Sequence, residues 1–278
     1  MTRRNFVPGA AALALAGTAL PQNPPVQGRL KQSVTRGCFG RGMPMEDMCK
    51  LAARIGFQGF DLIGPADWPM LKKYGLKPAM APGAGTIPEG INRKEFHEKF
   101  EADMRKNLTL AAEVGAPNVI TLSGERRGMN DWEGLDNCAI FLNKVKAMAE
   151  DKGVTICLEL LNSKVNHKDY MCDRTAWGVE LCKRVNSPRV KLLYDIYHMQ
   201  IMEGDVIRTI RDNIDWFGHF HTAGNPGRHE FDETQELNYR PIAMAIADLK
   251  FSGYVAHEYS PLKDPAQSLE MSFRTFVV

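Results

Sequence analysis

No stretch of this chain holds the roughly 18 consecutive apolar residues that a membrane-spanning helix needs, although the chain runs to 278 residues. An excess of charge of one sign is also missing: 35 Lys and Arg stand against 33 Asp and Glu, a formal net charge of +2. That balance gives no electrostatic footprint for nucleic acid and no case for an acidic partner. The six cysteines, Cys38, Cys49, Cys138, Cys157, Cys172 and Cys182, form no C-x-x-C pair. Zinc-ribbon and thioredoxin-like modules are therefore excluded, and a chain this long has core enough to do without disulfide staples. Cys38 and Cys157 lie in apolar runs and read as small core residues. Low-complexity tracts and short repeats are absent too. What is present, 44% hydrophobic and 24% charged residues, is ordinary globular composition.

The first residues read differently from the rest. Thr2-Arg3-Arg4-Asn5-Phe6 is followed by a small-residue apolar run from Ala10 to Leu20, and then by Gln22-Asn23-Pro24-Pro25, which ends any helix. A basic start, a short apolar stretch and small residues describe a secretory leader. The arginine pair before Phe6 resembles the twin-arginine type, which a receptor reads as an address. Residues 1–28 are expected to be a signal peptide and linker, and the protein to be exported, to the periplasm or beyond. The alternative, a cytoplasmic protein with an amphipathic N-terminal helix, is weakened because Ala10 to Leu20 has no polar face.

Residues 29–278 are expected to form a single domain, about the size of a (β/α)₈ TIM barrel. Short apolar runs alternate with longer amphipathic ones. Predicted strands are Ser33–Phe39, Gln58–Ile63, Lys77–Met80, Asn118–Leu122, Thr155–Glu159, Val190–Asp195, Trp216–His221 and Tyr254–Tyr259. Predicted helices are Met45–Ile55, Trp68–Tyr74, Lys94–Val114, Glu133–Lys152, Arg174–Val185, Asp205–Asn213, Ile242–Leu249 and Ala266–Phe276. In the third of these, Phe96, Phe100, Met104, Leu108 and Ala111 recur three or four apart. Gly56, Gly115 and Gly153 each close a helix and open a strand. Near-continuous apolar strands suit a parallel sheet covered by helices. An open doubly wound sheet would want a Gly-rich phosphate loop after the first strand, and Cys38-Phe39-Gly40-Arg41-Gly42 does not match one.

The strand ends carry the chemistry. The fifth ends in Glu159, the sixth in Asp195, the seventh in His221, and the eighth carries Glu258, spaced by 36, 26 and 37 residues. Each spacing is about one βα unit, and barrel sites lie where strands end. Three carboxylates aimed at one place repel each other unless a cation joins them. Three carboxylates and one imidazole suit a single divalent ion, Mg²⁺, Mn²⁺ or Co²⁺, better than a structural zinc site.

Around these residues the chain resembles a known family. Cys157-Leu158-Glu159, Asp195-Ile196-Tyr197-His198-Met199, His219-Phe220-His221-Thr222-Ala223-Gly224, Gly227-Arg228-His229-Glu230 and Leu237-Asn238-Tyr239 are similar to the xylose-isomerase-like TIM-barrel superfamily. Within it the likeness is greatest to the hydroxypyruvate isomerase family, with the ketose 3-epimerases as near relatives. It spans roughly Ser33 to Pro261 and is densest from Glu159 to Glu258. It implies a Glu–Asp–His–Glu metal site, matched by Glu159, Asp195, His221 and Glu258. Members of the isomerase family often carry Gln where this chain has His221, so the match there is nearer the epimerase pattern.

Isomerisation and epimerisation both start by removing a proton beside a carbonyl, through an enediolate. Glu159 and Glu258 are the expected acid/base pair, each also a ligand, with Asp195 and His221 completing the metal shell. The resemblance places His198 against a substrate oxygen. Arg228, beyond the seventh strand, is positioned to pair with a substrate carboxylate or hydroxyl. Glu230 is expected to orient Arg228 or close over the site, and His167 and Asp169 to cap it. Arg126 and Arg127 read as a solvated loop, His97 as an exposed helix residue, and Trp68 as core packing or a sugar-pocket wall. Met43, Met45, Met48, Met199 and Met202 read as packing. The expected activity is a metal-dependent sugar or keto-acid isomerase of the hydroxypyruvate isomerase kind, with a small-molecule carbohydrate or keto-acid as partner and a homo-oligomer left open. Alternatives are a ketose 3-epimerase, an exported lyase or eliminase acting on oxidised (3-keto) sugars or glycosides, and a non-catalytic sugar-binding barrel. A DNA-repair endonuclease on the same barrel would need extra histidine ligands from the second and third strands, and only His97 precedes residue 160.

Overall fold

The computed structural model describes residues 28–278; the expected leader lies outside the described residues, save Gly28. Eight apolar runs form the strands β1 (Lys31–Thr35), β2 (Gly59–Asp61), β3 (Lys77–Ala84), β4 (Asn118–Thr121), β5 (Thr155–Glu159), β6 (Val190–Asp195), β7 (Phe217–Thr222) and β8 (Tyr254–His257). Each pairs in parallel with its sequence neighbours, and β1 pairs with β8, so the sheet closes into a barrel. Among the described residues the helices are α1 (Met45–Ile55), α2 (Trp68–Lys73), α3 (His97–Val114), α4 (Asp131–Lys152), α5 (Thr175–Val185), α6 (Ile196–Met202), α7 (Val206–Asn213), α8 (Tyr239–Asp248) and α9 (Pro265–Thr275). This is the expected (β/α)₈ barrel.

Side chains alternate along a strand, so Cys157 shares a face with Glu159, Leu193 with Asp195, and His219 with His221. Met80, Cys157 and Leu193, with Ile120 against them, form a small apolar cluster separate from the main core between strands and helices. That cluster fills the barrel two residues below the strand-end carboxylates. Below Glu159 and Asp195 the floor of the site is therefore apolar and close-packed. Helices enter their strands as the glycines foretold: Gly115 (φ 76°) and Gly153 (φ 68°) take the left-handed cap, their N–H groups returning to Ala112 and Glu150.

Several boundaries differ from the sequence reading. The first strand stops at Thr35 because a 3₁₀ turn, Arg36–Phe39, takes over; there Cys38 donates from Sγ to the His257 carbonyl and receives the Tyr259 N–H. The third strand continues through Pro82 and Gly83 to Ala84. The last strand ends at His257, leaving Glu258 just beyond it. Helix α4 begins at Asp131 because Asn130 caps it, accepting from the Glu133 N–H. Helix α6 was not foreseen: Asp195 ends β6 and at once caps α6 by accepting from the His198 N–H. The exposure expected of His97 is wrong. It falls on the inner stripe of α3, three residues before Phe100; it is buried, with Nε2 2.8 Å from the Ile91 carbonyl and its ring against Phe141.

Candidate active site

Strand pairing brings Asp195 directly beside His221 and sets Glu159 next to Leu193. Glu258 enters from the first turn after β8, its N–H bonded to the Thr222 carbonyl. One ligand atom from each of Glu159, Asp195, His221 and Glu258 lies within 4.8 Å of the others. His221 stands at the centre. Its Nδ1 is 2.9 Å from Glu258 Oε2 and 3.4 Å from Glu159 Oε1, while Nε2 is 3.1 Å from Asp61 Oδ2. Glu159, Asp195 and His221 are buried; the Glu258 side chain is 24% exposed.

The charges in this pocket are strongly coupled. Burial raises Glu159 above the usual carboxylate range, and the Glu258 and Asp195 charges reinforce that against the opposing pull of His221. Burial also raises Asp195, with Arg228 opposing. In Glu258 the burial penalty is outweighed by His221 and Arg228, which hold it low. Burial alone would lower His221, but Glu258, Asp61 and Glu159 hold it well above its ordinary value. Opposite ligands of a divalent ion with oxygen donors at ~2.0–2.6 Å lie ~4–5 Å apart, and these four ligand atoms are close enough together to share one ion. Three carboxylates, two of them buried, and one buried imidazole converging on one point fit a divalent cation.

Arg228 sits on a backbone with φ 59°, over the Tyr197 ring. Its guanidinium is 2.8 Å from Glu258 and 3.6 Å from Asp195, and the side chain is 27% exposed. His198, buried on α6, accepts at Nδ1 from the Asn162 N–H and side-chain amide. Its proton therefore belongs on Nε2, which lies 3.6 Å from Asp195 Oδ2 and has no hydrogen-bond partner among the described residues. A cavity of about 560 Å³ opens beside Glu258 and Arg228, walled by Thr35, Asp61, Leu62 and Tyr259.

Two of the lesser expectations fail. Glu230 does not orient Arg228: its carboxylate accepts from the Leu262 and Lys263 N–H groups and from Ser268, tying the loop after β7 to the approach of α9. Arg126 is not a solvated loop residue; it bridges Asp131 and Asp173. Arg127 is more open and pairs with Glu125. Asp169 is exposed and accepts from the Arg127 N–H, whereas His167 packs its ring 5.2 Å from that of His198. Trp68 is buried and donates to the Ile63 carbonyl, which makes it core. The sequence reading overlooked Asp61 and Asn162. Asp61 bore the same signal as the others, a carboxylate closing an apolar strand, in Gly59-Phe60-Asp61. Asn162 carried no signal.

The family model described as xylose isomerase-like TIM barrel matches residues 49–275. The chain belongs to this family. Among its relatives, the 2-oxo-tetronate isomerase of Pectobacterium atrosepticum is 27% identical over 241 residues, covering 79% of this chain and 87% of that protein. The hydroxypyruvate isomerase of Escherichia coli is 36% identical over a shorter stretch of 105 residues, 37% of this chain and 40% of the relative. Of solved structures, the AP endonuclease, family 2, from Brucella melitensis superposes with a TM-score of 0.78 at 25% identity, over 86% of this chain and 97% of that one. The xylose isomerase-like family is thus the one that the strand-end residues suggested.

Proposed function

We propose that this protein is a divalent-metal-dependent isomerase acting on a small sugar or keto acid through an enediolate. The observation that carries the reading is the meeting of Glu159 and Glu258 at one nitrogen of His221, with Asp195 beside it, at the C-terminal ends of the strands. The names of the relatives, 2-oxo-tetronate and hydroxypyruvate isomerase, support this chemistry. Glu159, Asp195, His221 and Glu258 would hold the cation, which supplies Lewis-acid polarisation of the substrate carbonyl and alignment of its oxygens.

The chain's own residues do the rest. One of the two glutamates takes the proton from the carbon beside the carbonyl. The C–H electron pair becomes the enediolate double bond, and the carbonyl π pair moves to oxygen. Returning the proton to the former carbonyl carbon, while the neighbouring hydroxyl gives its proton to the former carbonyl oxygen and becomes the new carbonyl, exchanges aldose for ketose; returning it to the original carbon from the other face as the first carbonyl re-forms inverts that centre. His198 presents its free Nε2–H to a substrate oxygen. Arg228, fixed by Glu258 and Tyr197, offers its remaining N–H groups to a substrate carboxylate or hydroxyl at the cavity mouth. Strands β2 and β3 bring no histidine to the site, so an endonuclease built on several zinc ions is disfavoured. Epimerisation is the second reading, favoured by His221 in place of glutamine.

Incubating purified protein and Mn²⁺ with 2-oxo-tetronates, hydroxypyruvate and ketoses in D₂O tests this. Deuterium should enter at the carbon beside the carbonyl, in recovered isomer or epimer. Loss of a substituent would make the enzyme a lyase instead, and no exchange with any of the panel would overturn the reading.

A further inference from the structure

A hydrogen-bonded chain runs beneath the carboxylate cluster and, among the described residues, reaches it through His221. Asn118, on β4, places its side-chain amide 3.3 Å from His219 Nδ1 and 3.2 Å from the Ala79 carbonyl. An amide NH₂ only donates, so His219 Nδ1 is the acceptor and the proton of that ring is on Nε2. From there His219 donates to Asp61 Oδ2 at 2.6 Å, and His221 Nε2 approaches the same oxygen at 3.1 Å. An ionised carboxylate only accepts, so His221 Nε2 must carry a proton too. What is left to His221 is Nδ1, the nitrogen facing Glu159 and Glu258.

Asp61 and both rings are fully buried, and the second oxygen of Asp61 has no partner among the described residues. A buried carboxylate is costly to keep merely for packing, and the cluster of Met80, Cys157 and Leu193 fills its own part of the barrel interior with apolar side chains alone. We propose that Asp61 is a positioning residue, which sets the tautomer and angle of His221 so that Nδ1 faces a bound divalent cation. This rests on the reading of Glu159, Asp195, His221 and Glu258 as the cation's ligands. Carboxylates that take the second N–H of a ligating imidazole act in this way generally, fixing its tautomer and raising its basicity.

The test uses the full chain, stripped of metal and titrated calorimetrically with Mn²⁺. Asp61→Leu removes the acceptor while keeping the branched shape of the side chain and should weaken Mn²⁺ binding about 10–100-fold. Asp61→Asn keeps an accepting oxygen and should recover most of the loss. A purely structural role predicts that melting temperature falls while the folded fraction binds Mn²⁺ as the wild type does, and that result overturns the proposal. Should the leucine variant not fold, ¹⁵N spectra of the Mg²⁺-loaded wild type decide: the His221 proton on Nε2 supports the proposal, and on Nδ1 overturns it. Absence of Mn²⁺ uptake by the wild type would overturn the cation reading and this proposal with it. Undiminished uptake by folded Asp61→Leu overturns this proposal alone.

Discussion

The two glutamates are the residues on which the chemistry turns, and conservative changes separate their duties. Glu258→Gln or Glu159→Gln keeps an oxygen that can ligate but removes the base. Turnover should fall by the ~10²–10⁴ that general acid–base catalysis contributes, while metal affinity falls only modestly; full activity in Glu258→Gln would overturn the two-base mechanism. Asp195→Ala should instead act through lost metal. His97 tests the other kind of burial. Burial, with the Ile91 carbonyl opposing, lowers its pKa, so the folded ring stays neutral to a lower pH than the unfolded one. The unfolded chain takes up a proton near its ordinary value of ~6.5. His97 thus contributes stability above that pH and withdraws it as pH falls below. Urea midpoints at pH 7.5 and 5.5 should drop further for the wild type than for His97→Gln, whose amide can still reach the Ile91 carbonyl.

At the scale of single elements, local chemistry and long-range packing divide the outcome. Helix α1 and strands β5 and β6 begin and end where the sequence pattern placed them, because their apolar period is unbroken and their ends carry Gly56, Glu159 and Asp195. Helix α6 escaped because seven residues are too few to show a period, and because Asp195 serves two elements at once. The first strand was read too long because Cys38 and Phe39 are apolar; only the turn shows that Cys38 is buried against β8. The start of α4 depends on Asn130. Replacing it by alanine should cost about 1 kcal/mol, the usual loss of an N-cap, and the midpoint of chemical unfolding should register it without a change in turnover.

For the molecule as a whole, residues 1–28 are proposed to be a twin-arginine-type leader and the remainder the working domain. Deleting residues 1–25 should leave the melting temperature nearly unchanged, and fractionation of cells making the full chain should find the shortened protein outside the cytoplasm. A large fall in melting temperature on deletion would show that the segment packs as a real element. The barrel was legible in the chain, as were Glu159, Asp195, His221 and Glu258 at or just beside its strand ends, because period, spacing and helix stops are local properties. The sequence by itself did not decide which polar residues would meet. Asp61 and His219 are 158 positions apart and touch only because closing the barrel brings β2 across from β7. His97 and Arg126 were misjudged for the same reason: Phe141, which packs on the first, and Asp173, which pairs with the second, are far from them in the chain and near only in space. Burial and hydrogen-bond partnership belong to the closed fold, and a chain read in one dimension holds only the residues from which they are made.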